Sequence, residues 1–97
     1  MKFEIAELAQ REVDEAIDFY FAQAGRQVAH SFIKELDRAW DLLLQHPKLG
    51  KPTNGNRRIW HLNTYPYSVV YSVRDDTLLI LVVAHQRRDP AYWQSRQ

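Results

Sequence analysis

The chain has 97 residues, of which 45% are hydrophobic, 26% charged and 12% aromatic, proportions of a folded chain and not of a polar, highly charged disordered one. That length builds one hydrophobic core with little left for a second, so a single domain over residues 1–97 is expected. A formal net charge of +1 and the absence of cysteine exclude a strongly basic whole-molecule field, any disulfide, any thiolate nucleophile and any cysteine-ligated metal.

Lys2 to Ala6 alternates polar and apolar residues, the period of a strand with one buried face. From about Leu8 to Ala24, Ala9, Val13, Ala16, Ile17, Tyr20 and Ala24 recur at helical spacing, while Glu12, Asp14, Glu15 and Asp18 take the other face near the amino end, where the helix dipole favours them. Gly25 interrupts the pattern. A second stripe, Ala29, Phe32, Ile33, Leu36, Trp40, Leu43 and Leu44, runs to His46-Pro47, where proline and the following Gly50 end it. These two segments form a helical hairpin.

Lys48 to Arg58 reads as a basic, turn-rich loop without a phosphate-cradling glycine motif. Arg58 to Leu62 then begins a strand, Thr64-Tyr65-Pro66 makes a corner, and Tyr67 to Val73 alternates almost strictly. Arg74 to Thr77 supplies a turn. Leu78 to Val83 is apolar on both faces, as a central strand covered from two sides would be. The expected fold class is α+β: an N-terminal strand, the helical hairpin, then a three-stranded antiparallel meander, with the helices packed on one sheet face. The face left over needs the tail, a partner protein or the second copy of a homodimer as cover. The apolar run to Ala84 is too short to span a bilayer, and the N-terminus has no secretory apolar region, so a cytoplasmic protein without a membrane partner is expected.

The densest chemistry lies in the tail, His85 to Arg96. Asp89-Pro90 has the form of a cap and first-turn proline of a final helical turn, after which Tyr92 and Trp93 pack on the domain. The alternative is a site: a histidine, two arginines and two aromatics just past a central strand combine proton exchange, bidentate anion binding and stacking. Both readings stand on sequence grounds. His61, on the same strand face as Ile59, is a surface histidine or a proton carrier. His30 and His46 belong to the second helix and read as structural, as does Trp40. No spacing of histidines and carboxylates suits a metal, no cofactor motif is present, and no nucleophile-elbow glycine pattern supports a serine hydrolase.

The string Tyr65-Pro66-Tyr67-Ser68-Val69-Val70-Tyr71, together with Ala84-His85-Gln86-Arg87-Arg88-Asp89-Pro90-Ala91-Tyr92-Trp93 and the order of elements, resembles the RelE/ParE superfamily of toxins from type II toxin–antitoxin modules of the plasmid-stabilization kind. The likeness runs over nearly the whole chain. It implies a growth-arresting toxin neutralised by a cognate antitoxin protein. In the RelE-like branch it implies a ribosome-dependent endoribonuclease acting on mRNA, with His61, His85, Arg87, Arg88 and Tyr92 as candidate catalytic residues. That branch carries an arginine in the middle strand of the meander and lysines on the strand before it. Here those positions hold Ser68, Ile59 and His61. The ParE-like branch implies DNA gyrase as target with no catalysis by the toxin, and then Arg58, His85, Arg87, Arg88, Tyr92 and Trp93 are the candidate target-binding residues. The depleted cationic set favours the ParE-like branch. The ribonuclease is the alternative, and a non-toxic binding protein on the same fold is a third.

Overall fold

The N-terminal alternation forms β1 (Lys2–Ile5), which turns Phe3 and Ile5 toward the core and leaves Lys2 and Glu4 exposed. Residues 1–96 are described by the computed structural model. Helices α1 (Glu7–Ala24) and α2 (Arg26–Gln45) follow, joined by Gly25 alone. Gly25 has φ 91° and ψ 175°, a conformation open essentially to glycine. Its N–H closes α1 on the Phe21 carbonyl, and its own carbonyl accepts the Ala29 N–H that opens α2, both at 3.1 Å.

Two helices so joined lay their apolar stripes side by side. Ala9, Val13 and Ala16 of α1, being small, let that helix sit close to the sheet, while α2 contributes the bulk with Phe32, Leu36 and Leu43. Full burial of a ring such as Phe32 stabilises the fold by about 1.5–3 kcal/mol.

The sheet is built from β1, β2 (Lys51–Pro52), β3 (Arg57–His61), β4 (Tyr67–Arg74) and β5 (Thr77–His85), in the order β1-β5-β4-β3-β2. The meander β3-β4-β5 is antiparallel as expected, and β1 adds a parallel strand beside β5. The segment read as a loop from Lys48 to Arg58 holds one further short strand, β2, paired antiparallel to β3. Two residues with a proline between turn formers carry no periodicity, so pattern gives no sign of it. Asp75 and Asp76 join β4 to β5 with φ of 49° and 61°, the left-handed turn that matches strand twist. Gly50 fixes the entry to β2: a Cβ there would lie 2.6 Å from the Tyr71 hydroxyl. That hydroxyl accepts the Gly50 N–H at 2.8 Å and donates to the Pro47 carbonyl at 2.7 Å.

A bulge explains why β5 is apolar throughout. Val70 pairs with Val82 and Tyr71 with Ile80, which leaves Leu81 as an extra residue. The alternation shifts there by one. Leu78, Ile80 and Val83 therefore face the helices with Val69 and Tyr71, whereas Leu81, Val82 and Ala84 face the other side with Val70. The chain itself covers this second face, because α3 (Ala91–Gln94) lays Trp93 on it. Among the described residues, no helix is long and apolar enough to cross a membrane.

Candidate functional site

The tail is placed by a short helical turn and two clasps. Asp89 starts the turn: its carboxylate accepts the Ala91 N–H at 2.9 Å and its carbonyl the Tyr92 N–H at 2.9 Å. Arg57 makes the first clasp from β3. Its Cζ lies 5.6 Å from the centre of the Trp93 ring, and its guanidinium donates to the carbonyls of Asn54, Gln94 and Arg96. Arg96 makes the second, a two-pronged pair with Glu12 of α1, both contacts 2.9 Å. Only 14% and 9% of these side chains are exposed. The hydrogen bond to Glu12 raises the Arg96 pKa, against the opposing effect of burial. Glu12 also accepts the Val83 N–H at 3.0 Å. Val83 lies past the last β1–β5 pair, Ile5 with Ile80, so the carboxylate takes over where the parallel ladder stops.

Between α1, the ends of β4 and β5, and this tail lies a groove of about 430 Å³. Glu12, Glu15 and Phe19 line its helical wall, Tyr67 and His85 its floor, and Arg87, Arg88 and Tyr92 its outer rim. Arg88 stacks with its Cζ 3.9 Å from the centre of the Tyr92 ring, and Arg96 reaches the same ring at 4.8 Å. Neither Arg87 nor Arg88 has a carboxylate at ion-pair distance among the described residues. Phe19 and Tyr92 are 55% and 39% exposed. The groove thus presents two arginines without an ion-pair contact on its rim, facing the carboxylates of Glu12 and Glu15 on its helical wall, beside exposed aromatic and apolar surface.

His85 packs edge-on against Tyr67, with ring centres 5.3 Å apart. Its Nδ1 accepts the Arg87 N–H at 3.1 Å, a bond that suits the tautomer with its proton on Nε2. Burial raises the Tyr67 pKa, keeping its hydroxyl a phenol.

Of the residues singled out in the sequence, the fold brings together His85, Arg87, Arg88 and Tyr92. It does not bring in the others. His61 bonds through Nδ1 to the hydroxyl of Ser68. Ser68 follows Tyr67 in the strand and so points to the opposite sheet face. Arg58 donates to the carbonyls of Lys48 and Gly50 near the far end of the sheet. Trp93 is 7% exposed and belongs to the second core cluster, not to an accessible surface. Glu12, Arg57 and Arg96 hold the site in place, and Phe19 extends it, yet none stood out in the sequence. Glu12 looked like one acid among four on a solvated helix face, and its partner lies 84 positions away. Among the described residues, no group of histidines and carboxylates is arranged to hold a metal ion.

Residues 3–90 match the family model described as the ParE toxin of the type II toxin-antitoxin system parDE. Among solved structures, the chromosomal ParDE toxin–antitoxin system from P. aeruginosa is similar with a TM-score of 0.79 at 20% identity, over 88% of this chain and 95% of that one. The isolated E. coli RelE toxin gives 0.63 at 19% identity, over 94% and 89%. The intact E. coli RelBE toxin–antitoxin complex gives 0.63 at 18%, over 90% and 98%. At these identities the structural likeness concerns the fold. No curated protein matches.

Proposed function

The chain belongs to the ParE toxin family of type II toxin–antitoxin systems, and from that premise we propose that it arrests growth by binding DNA gyrase through the tail groove, without catalysing a reaction itself. One observation carries this most: the groove gathers His85, Arg87, Arg88 and Tyr92 on one rim, a cationic and aromatic edge whose two arginines have no carboxylate at ion-pair distance among the described residues, opposite Glu12 and Glu15 on the helical wall. Such a surface suits recognition of a large acidic or polar partner.

The ribonuclease alternative is less well supported. Cleavage by attack of a 2′-hydroxyl needs a base, an acid and cations around one phosphate. The candidate proton carriers do not converge, since His61 is tied to Ser68 on the far sheet face and the Nδ1 of His85 is occupied by Arg87 N–H.

A toxin of this kind is paired with a cognate antitoxin, and we assign the antitoxin to the surface between the helical hairpin and the sheet, where Phe19 and Tyr92 stand exposed. Two assays test the function. Induced alone, the chain should stop growth, and the adjacent gene product should restore it. Purified, it should block gyrase supercoiling and leave ribosome-bound message intact. Codon-positioned cuts in that message would establish the ribonuclease, and normal growth with abundant folded protein would leave only the non-toxic binding protein.

A further inference from the structure

A larger pocket, about 850 Å³, lies away from the tail groove, between the end of α2, the β2–β3 hairpin and the end of β4. Strand β4 runs from Tyr67, in the tail groove, to Val73, in this pocket, a span of about 20 Å at the usual strand rise. We propose that this pocket is a docking site for an acidic segment of a partner polypeptide that carries interspersed leucine, isoleucine or valine side chains.

The charge is unusually one-signed. No Asp or Glu occurs between Asp41 and Asp75, a stretch that contains Lys48, Lys51, Arg57, Arg58 and Arg74. Among the described residues no carboxylate lines the pocket, whereas His46, Lys48, Arg57 and Arg58 do. Arg58 is held at 3.1 and 2.7 Å by the carbonyls of Lys48 and Gly50, and Arg57 by three other carbonyls. These neutral acceptors fix both guanidiniums without cancelling their charge, so an acidic occupant meets a preorganised positive field.

The surface between the cations is apolar. Leu49 is 42% and Val73 39% exposed, with Pro47 and Pro52 beside them. Exposed apolar side chains clustered in a concavity favour a partner that buries them. A nucleic acid fits less well. The pocket wall holds no exposed Phe, Tyr or Trp: Tyr71 is fully buried with its hydroxyl committed to Gly50 and Pro47, which leaves the His46 imidazole as the one ring open to a base among the described residues. All three Arg57 guanidinium nitrogens already hold carbonyls, and Arg58 Nη1 holds two, which leaves fewer paired donors for forking a phosphate. An acidic, apolar-bearing peptide uses both the field and the apolar floor. The site stands apart from the gyrase assignment, and either can fail alone.

The test uses the full-length protein and three labelled probes followed by fluorescence anisotropy: a twelve-residue peptide of glutamate and leucine, its glutamine-for-glutamate twin, and a twelve-nucleotide oligothymidylate. The acidic peptide should bind, and the glutamine twin and the oligonucleotide should bind at least about tenfold more weakly. Leu49→Glu and the double variant Lys48→Glu/Lys51→Glu should each weaken the peptide about tenfold while circular dichroism and growth arrest stay as in the parent. Tighter binding of the oligonucleotide would make this a nucleic-acid surface and overturn the proposal. Failure of the acidic peptide to bind, equal binding of the glutamine twin, or indifference to both variants would overturn it as well.

Discussion

The two faces of the sheet are covered in different ways. On one, two long helices lock Phe32, Leu36 and Leu43 against Val69, Tyr71 and Ile80, and the cover is almost wholly apolar. On the other, eleven or so residues of tail bring one large side chain, Trp93, and are otherwise tied by polar clasps: Arg57 to backbone carbonyls and Arg96 to Glu12. The first cover derives from area removed from water, the second from a few directional bonds and one ring. A cover of the second kind opens locally at lower cost, as expected of a segment that recognises a partner.

The contrast is broken most forcefully on the helical side. Phe32→Ala removes a fully buried ring and should cost about 3–5 kcal/mol, read as a fall in the denaturant midpoint of the whole chain. On the tail side, Glu12→Gln should cost about 2 kcal/mol, since it weakens a charged hydrogen-bonded pair and a bond to Val83 N–H. Its mark should be faster amide exchange in residues 91–96 ahead of the helices. Equal acceleration throughout would mean that the two covers open as one. Arg88→Ala should change stability by no more than about 0.5 kcal/mol, the worth of an exposed stack on Tyr92, and yet relieve growth arrest.

The smallest effect is alkaline. Burial raises the pKa values of Tyr20, Tyr67 and Tyr71 above the usual 10.0. The unfolded chain then loses these protons first, so the stabilisation is complete below pH 10.0 and declines as pH rises beyond it. Urea titrations at neutral pH and above pH 10 should show the decline, and Tyr67→Phe should lessen it.

Much of this was legible in the sequence. The helical hairpin, the meander and the two-faced strand follow from periodicity, because burial imposes a 3.6-residue or two-residue spacing on Phe32, Leu36 and Leu43 or on Val69 and Tyr71. His85, Arg87, Arg88 and Tyr92 were found as a group because they are neighbours in the chain as well as in space. Strand β2 was not legible, being too short to show a period, and neither was the bulge at Leu81, which pairing creates. The Glu12–Arg96 pair and the Arg57 clasp join residues far apart in sequence. They depend on the tail's path across the sheet, which composition and spacing do not specify. Trp93, which the sequence left open as a residue packed on the domain or as a target contact, takes the first role, its ring completing the second core.

Inhibition of gyrase supercoiling by the purified chain and by an Arg87→Glu/Arg88→Glu variant tests the tail groove most directly. The parent should inhibit, and the variant, still folded by circular dichroism, should need at least about tenfold more protein for the same effect. Equal inhibition by the two, or none by the parent at any concentration, would contradict the assignment.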